Sequence, residues 1–316
     1  MQASDASITQ VNFQQACQQL NTVQDFVRWT ASRLSEYGAY FGHGTDNPWD
    51  EAIYLVTHAI HLNDALYPAI QNSKVTEDEK STLAALIEQR VVGRVPTAYL
   101  VNQAYFMGLP FYVDERVLVP RSPIAELLEN QLEPWLKGRF VHHVLDLCTG
   151  SGCIAIAAAH VFEDAIVDAV DLSPEALTVA EMNIHSLGVS DRVFPMLSDG
   201  FDALGEQKYD VILSNPPYVD EEDMESLPDE YRHEPEMGLA SGADGLELPR
   251  RILAQAADHM TDDGVMILEV GNSEVHLRAQ YPDVPFEWVE FQKGGHGVLV
   301  ITKAQLEQHR HLFQGA

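Results

Sequence analysis

Four consecutive residues, Asn215, Pro216, Pro217 and Tyr218, follow a short apolar run that predicts a buried strand. The two prolines lack N–H groups and hold φ fixed, so they predict a stiff turn at the end of that strand. The Asn215 side chain and the Pro216 carbonyl present two oxygen acceptors, which together bind both hydrogens of a planar NH2 group. The ring of Tyr218 can stack on such a group. The motif therefore predicts a site that positions a flat amide or amino nitrogen for methylation.

A Gly-rich turn lies upstream of this motif. The apolar run Val144–Leu147 predicts a strand, and a helical pattern follows from Ile154. The residues of the turn are Cys148, Thr149, Gly150, Ser151 and Gly152. Glycine lets a ligand approach the backbone closely, and a helix N-terminus offers unpaired N–H groups. Asp146 lies where ligands gather in open α/β sheets, and Asp171 ends the next strand, where an acid binds ribose hydroxyls. Together these features predict a nucleotide-type cofactor.

The cofactor predicted for this turn is S-adenosylmethionine. The dinucleotide fingerprint requires a further glycine soon after Gly152, and the three residues that follow supply none, which disfavours NAD. Further residues assigned to the pocket are Leu172, Asp199, Gly200 and Phe201. In this interpretation Asp199 faces the adenine amino group and Phe201 covers the ring. The alternative for Asp199 is a helix N-cap.

The composition constrains the class of partner. The chain has 48 acidic residues against 19 Lys plus Arg, a formal net charge of −29. Because duplex binding depends on Lys and Arg, we expect no direct sequence-specific binding of nucleic acid. An acidic surface attracts a basic protein, and salt adaptation of the source organism explains the charge equally well. Three cysteines and the lack of a long apolar segment predict a cytoplasmic protein that does not span a membrane.

The pattern along the chain predicts three parts. Residues 1–92 repeat apolar positions at helical spacing and predict a helical N-terminal substrate-recognition domain. Between Tyr99 and Val119, β-prone runs predict a β-hairpin linker over residues 93–120. Residues 121–316 alternate apolar strands with helices, which predicts a catalytic domain of the α/β class. Its mainly parallel sheet is covered on both faces, and the last two strands form an antiparallel hairpin.

With the Gly-rich turn and Asn-Pro-Pro-Tyr in place, nearly the whole chain resembles the bacterial protein glutamine N5-methyltransferases. The segments Val119–Glu126 and Glu236–Gly245 resemble the branch that modifies the third large-subunit ribosomal protein. The resemblance implies a Rossmann-like seven-stranded sheet with one reversed strand, and S-adenosylmethionine as cofactor. It implies a glutamine side-chain amide in a basic ribosomal protein as acceptor. It also assigns Cys148 to Gly152, Asp171 and Asn215 to the pocket.

Other interpretations stay open at this point. The sister branch methylates a glutamine of peptide-chain release factors. An adenine-N6 or cytosine-N4 methyltransferase of nucleic acid suits the same four-residue motif, although the charge argues against it. A third alternative is a binding module that keeps the pocket without turnover. Arg121 either orients the acceptor or caps the helix that follows. Cys148 and Cys153 lack further ligands, so we predict no metal site.

Overall fold

The computed structural model of the protein describes residues 12–313, and its contacts define two compact units that divide between Val101 and Asn102. The first unit is helical. Its helices are α1 (Phe13–Cys17), α2 (Val23–Glu36), α3 (Pro48–Ala59), α4 (Tyr67–Ile70), α5 (Glu77–Val91) and α6 (Thr97–Leu100). Capping boxes begin α2 at Thr22 and α5 at Thr76. The inward faces of these helices bury Phe26, Leu55 and Leu83 in one core.

The second unit begins with a short hairpin and then alternates strands with helices. The strands are β1 (Ala104–Phe106), β2 (Leu109–Phe111), β3 (His143–Leu147), β4 (Ile166–Asp171), β5 (Val193–Leu197), β6 (Tyr209–Ser214), β7 (Met260–Glu269), β8 (Glu287–Trp288) and β9 (Val298–Thr302). The helices are α7 (Ile124–Glu129), α8 (Cys153–Val161), α9 (Pro174–Ser186), α10 (Glu221–Ser226), α11 (Glu247–Gln255), α12 (Glu274–Gln280) and α13 (Lys303–Phe313).

Seven of these strands form one sheet in the order β5-β4-β3-β6-β7-β9-β8. The strands from β5 to β7 in this order are parallel, and β9 runs against β7 and β8. Strand β9 is therefore the one reversed strand, which confirms the expected α/β sheet. The central strands are buried along nearly their whole length, as in sheets covered on both faces.

The predicted hairpin linker is longer than the hairpin in the structure. Only residues 104–111 pair as β1 and β2, and they belong to the second unit. The β-prone residues Tyr99 and Val101 do not form a strand, because the chain from Thr97 to Leu100 is helical and the Thr97 hydroxyl donates to the Glu51 carboxylate at 2.8 Å. Val119 lies outside any strand, and its N–H donates to the Glu234 side chain at 3.0 Å. Tertiary contacts override β propensity in both places.

Among residues 12–313, no helix is long and apolar enough to cross a membrane. Within the same residues, no group of three His, Cys, Asp or Glu side chains is placed to hold a metal ion. Cys17, Cys148 and Cys153 are free thiols.

Candidate active site

The Gly-rich turn and Asn215 leave neighbouring strands at the same level of the sheet. Leu147, the last residue of β3, pairs with Ser214, the last residue of β6. The Ser214 hydroxyl also donates to the Leu147 carbonyl at 3.0 Å, which locks the two strand ends together. Cys148 follows β3 and Asn215 follows β6. The predicted cofactor turn and the predicted acceptor motif therefore lie side by side at the carboxyl edge of the sheet. Ligand sites of open α/β sheets lie at this edge.

Backbone conformation gives the turn its shape. Cys148, Gly150 and Gly152 all have positive φ, at 62°, 55° and 80°. A Cβ on Gly152 would lie 3.3 Å from the Ala180 Cβ of α9, so glycine serves here both for its conformation and for close packing. Helix α8 begins directly after Gly152, and the N–H of Ala155 in its first turn donates to the Asp146 side chain at 3.0 Å. The first N–H groups of a helix suit an anionic or polar ligand group, which makes this turn a candidate cradle for one.

Asp146 lies beneath the turn and is fully buried. One of its oxygens, Oδ2, accepts from the Thr149 hydroxyl at 2.5 Å and from the Ala155 N–H at 3.0 Å. The other oxygen, Oδ1, is buried and has no hydrogen-bond partner among the described residues. Burial raises the pKa of Asp146 to about 7. A buried acceptor without a partner is costly unless a ligand donor meets it, so Asp146 fits a cofactor that carries N–H or O–H groups.

Asp171 is bound to the backbone of the same turn. Its Oδ2 accepts from the Gly150 N–H at 2.9 Å, and its Oδ1 accepts from the Ser173 N–H at 2.9 Å. Burial raises the pKa of this carboxyl group, although both N–H groups act against that shift. Each carboxylate oxygen retains a second lone pair for a ligand hydroxyl. The adjacent Leu172 is 53% exposed at the same edge.

The structure gives Asp199 and Phe201 partners that the sequence did not reveal. The Asp199 carboxylate forms an ion pair with the Arg251 guanidinium. Residues 199–203 form turns instead of a helix, so the helix-cap alternative for Asp199 is wrong. Phe201 is buried in the core, where its ring stacks on His259 with centroids 4.7 Å apart. Gly200 lies between them with φ of 59°. Contact of these residues with a cofactor stays a prediction.

The predicted acceptor motif is partly accessible. Pro216 is buried, whereas Asn215, Pro217 and Tyr218 are half-buried. The Tyr218 hydroxyl donates to Glu269 Oε1 at 2.8 Å, at the end of the neighbouring strand β7. Burial, together with the Glu269 carboxylate, raises the pKa of Tyr218 well above its usual value. The phenol is therefore neutral and acts as a hydrogen-bond donor with a fixed ring.

Arg121 forms a bidentate ion pair with Glu234. Its two terminal nitrogens lie 2.5 and 2.6 Å from the Glu234 oxygens, and its guanidinium lies 5.1 Å from the centre of the Tyr231 ring. Helix α7 has no side-chain cap at its N-cap residue, and its first N–H, that of Ile124, donates to the Ser122 hydroxyl at 3.2 Å. The capping alternative for Arg121 is therefore wrong. Its contact with an acceptor stays a prediction.

Sequence reasoning missed Asn183 of α9, which is fully buried. Its amide donates to the Ser151 carbonyl at 2.8 Å and to the Tyr112 carbonyl at 3.0 Å. Its Oδ1 accepts from the Tyr112 N–H at 2.7 Å. Asn183 thus joins the Gly-rich turn to the chain that follows the hairpin. A polar residue on the otherwise apolar buried face of α9 was the only signal of this role.

The reversed strand, the Gly-rich turn and the amide-proline motif at one edge define a methyltransferase. The family model described as "Methyltransferase small domain" matches residues 125–229. The ribosomal protein uL3 glutamine methyltransferase of Francisella tularensis is 45% identical over 93% of this chain and 94% of its own. The ribosomal protein uL3 glutamine methyltransferase of Neisseria gonorrhoeae is 49% identical over 93% of this chain and 98% of its own. The crystal structure of a methyltransferase from Pyrococcus furiosus is 23% identical in sequence. It covers 62% of this chain and 89% of its own, with a TM-score of 0.43.

The chain belongs to the family of ribosomal protein uL3 glutamine methyltransferases. The resemblance drawn from the motifs is thereby confirmed, including the choice of the ribosomal-protein branch over the release-factor branch.

Proposed function

We propose that the protein transfers a methyl group from S-adenosylmethionine to the side-chain amide nitrogen, N5, of a glutamine in ribosomal protein uL3. The observation that carries the proposal is the register of β3 and β6. Because Leu147 pairs with Ser214, the Gly-rich turn and Asn215 emerge side by side. A cofactor in the turn and an amide held by Asn215 then meet without any rearrangement of the sheet.

The residues of the turn suit the proposed cofactor. S-adenosylmethionine carries a carboxylate, an ammonium group and ribose hydroxyls, and when bound it supplies an electrophilic methyl group. The N–H groups at the start of α8 suit the carboxylate, and Asp146 Oδ1 suits a donor. Asp171 holds Gly150 in place and retains acceptor capacity for a ribose hydroxyl. Leu172, Asp199, Gly200 and Phe201 complete the proposed adenosine side.

Asn215 and Pro216 act on the acceptor. Their side-chain and backbone oxygens accept both hydrogens of the glutamine NH2, which leaves the face of the nitrogen directed at the methyl carbon. Pro217 stiffens the turn and Tyr218 packs on the planar amide. With the cofactor bound, the nitrogen–carbon bond would form as the sulfur–carbon bond breaks, and the nitrogen would then lose a proton to solvent. Since the methyl donor is already activated, the residues contribute positioning and polarisation and need not remove a proton beforehand.

The acidity of the chain supports a basic acceptor. Ribosomal proteins bind RNA and are basic, and a net charge of −29 attracts them at long range. We further propose that residues 1–92 recognise uL3, that Arg121 borders the acceptor site, and that the reaction takes place in the cytoplasm, where ribosomal proteins are made.

A transfer assay tests the proposal. The purified protein is incubated with labelled S-adenosylmethionine and unmethylated uL3, and the product is digested and analysed by mass spectrometry. We expect one methyl group on one glutamine of uL3. Transfer to a release factor instead would assign the sister activity. Transfer to nucleic acid, or to none of these acceptors, would overturn the proposal.

A substitution connects this activity to the site. Asn215→Ala removes one acceptor for the NH2 group, and we expect the rate of transfer to fall by about 10²-fold or more. We expect cofactor affinity, measured by calorimetry, to stay nearly unchanged. Asn130→Ala, at an exposed asparagine after α7, is the matched control and should retain wild-type transfer. Full activity of the Asn215 variant would show that another group holds the acceptor.

A further inference from the structure

Tyr218 is held at three points by one short segment that begins at the last residue of β7. Its hydroxyl donates to Glu269 Oε1 at 2.8 Å, and its carbonyl accepts from the Ser273 hydroxyl at 2.7 Å. Its ring lies directly on Gly271, where a Cβ would come 2.4 Å from Tyr218 Cε2. The whole phenol is thus fixed by residues 51 to 55 positions away in the chain, at the hydroxyl, the ring face and the backbone.

The carboxylate that receives the Tyr218 hydroxyl is itself held rigidly. Glu269 is only 4% exposed, and its second oxygen, Oε2, accepts from the Ser122 hydroxyl at 2.5 Å. Burial raises the pKa of Glu269, while both hydroxyl donors favour its ionised form. Ser122 also accepts from the Ile124 N–H, so the network begins at the first turn of α7. Each oxygen of the carboxylate thus has a defined donor, and each donor has a defined position.

Backbone conformation adds a second constraint. Gly271 has φ of 47°, and the Gly297 backbone approaches it so closely that a Cβ on Gly297 would lie 2.2 Å from the Gly271 carbonyl oxygen. The N–H groups of Val270 and Gly271 both donate to the Gly297 carbonyl, at 2.7 and 3.2 Å. The segment under the Tyr218 ring is therefore held by the start of the reversed strand, β9.

We propose that Glu269, Gly271 and Ser273 form a clamp that sets the orientation of the Tyr218 ring for methyl transfer, with Glu269 as a positioning residue that acts through the Tyr218 hydroxyl. The inference rests on the proposed function, because Tyr218 is there the residue that packs on the acceptor amide. Glu269 itself contacts neither acceptor nor cofactor and acts only through Tyr218. A carboxylate with this role affects the rate of transfer only as long as the phenol hydroxyl is present.

A double-mutant cycle on kcat tests this dependence. Glu269→Gln keeps an oxygen that accepts from Tyr218 and an amide that donates to Ser122, whereas Glu269→Ala removes both. We expect Glu269→Ala to lower kcat by about tenfold or more, and Glu269→Gln to restore part of that loss. In the Tyr218→Phe background, Glu269→Gln should cause no further loss of kcat, because the hydroxyl through which it acts is gone. The KM for the cofactor should stay within about threefold throughout.

A glycine pair tests the clamp without changing any polar group. Gly271→Ala pushes on the Tyr218 ring, and Gly205→Ala is the matched control, with φ of 60° and nothing within 4 Å of its Cβ. We expect Gly271→Ala to lower kcat by about 10²-fold through displacement of the ring, while Gly205→Ala keeps kcat within about twofold of the wild type. Thermal melting identifies any variant that fails to fold. If a glycine variant does not fold, the double-mutant cycle alone tests the clamp.

The outcomes separate this inference from the proposed function. Additive losses of kcat in the cycle, or equal kcat for the two glycine variants, would overturn the clamp while the wild type still methylates uL3. If the wild type methylates a release factor instead, the same cycle applies with that acceptor. A wild type without activity on either acceptor would refute the proposed function and this inference together.

Discussion

Asp146 is a buried acid whose proposed contact with the cofactor would link the stability of the fold to cofactor binding. Its side chain is enclosed beneath the Gly-rich turn, with Thr149 and Ala155 on one oxygen and no partner in the described chain on the other. Ionisation places a charge in this enclosed position and costs desolvation free energy, whereas the protonated, neutral carboxyl group avoids that cost. A cofactor donor at the free oxygen would favour the ionised form. The same group is therefore expected to oppose folding and to support binding near neutral pH.

The stability of the protein should depend on pH through this residue. The carboxyl group has a pKa of 3.8 when unperturbed and about 7 in the folded protein. Between these values the folded state retains a proton that the unfolded state has lost, so the contribution of Asp146 to stability falls as pH rises and levels off above about 7. We expect the free energy of unfolding in urea, measured relative to Asp146→Asn, to decline across this interval. Parallel pH curves for the two proteins would contradict the assignment.

At the residue scale, the sequence indicated the residues of the candidate site more readily than the distant residues that contact them. Asn215, Asp146 and Asp171 were assigned to the site from motifs alone, and they lie at one edge of the sheet. Glu269 and Asn183 were missed because each acts on a residue distant in sequence, Tyr218 and Ser151. No local pattern encodes such a pairing, since it depends on which strand or helix becomes the neighbour.

Among the elements, the strand–turn–helix unit of β3 and α8 carries the proposed cofactor turn. Its glycine at position 152 meets Ala180 of α9, so helix packing and turn conformation depend on one residue. By contrast, Gly188 after α9 has a similar φ of 72° but no atom within 4 Å of its Cβ. The two glycines therefore separate the cost of backbone strain from the cost of close packing.

Alanine at each of these glycines should give different results. We expect Gly188→Ala to lose about 1–2 kcal/mol of stability from left-handed strain alone, with cofactor affinity intact. Gly152→Ala should lose more than this and should also weaken cofactor binding by about tenfold, because the turn must shift away from Ala180. Urea unfolding and calorimetry measure the two effects. If both variants bind cofactor equally well, the turn does not form the cradle.

The bounds of the elements show where local sequence propensity was sufficient to predict the secondary structure. The apolar run Val144–Leu147, predicted as a strand, begins within one residue of the observed β3 and ends with it, because a strand buried along nearly its whole length is a continuous apolar run in the sequence. The region from Tyr99 to Val119 was predicted less well. Aromatic and β-branched residues there are buried by tertiary contacts in a helical turn and in extended chain, and only residues 104–111 pair.

For the whole molecule, the charge of −29 is the dominant property. Interactions at long range are set by ionic strength, since the Debye length falls from about 30 Å at 0.01 M to about 8 Å at 0.15 M. A basic acceptor would be attracted before contact, and this attraction would weaken with salt. A protein whose acidity serves salt adaptation would instead retain its function at high ionic strength.

The salt dependence of the kinetics distinguishes these origins of the charge. We expect the KM for uL3 to rise several-fold between about 0.01 and 0.15 M salt, with kcat and cofactor affinity changed much less. A short uncharged glutamine peptide as acceptor is the control and should show a flat response. A KM for uL3 that stays constant up to about 1 M salt would favour salt adaptation over attraction of the partner.

The sequence by itself determined the class of fold, the Gly-rich turn, the Asn-Pro-Pro-Tyr turn and the family, because these depend on local patterns of apolar residues, glycine and proline. Only the tertiary structure decided that Leu147 pairs with Ser214, that Arg121 binds Glu234, and that Glu269 receives the Tyr218 hydroxyl. Strand order and packing between distant segments set these contacts, and residues dozens of positions apart become neighbours only when the whole sheet has formed.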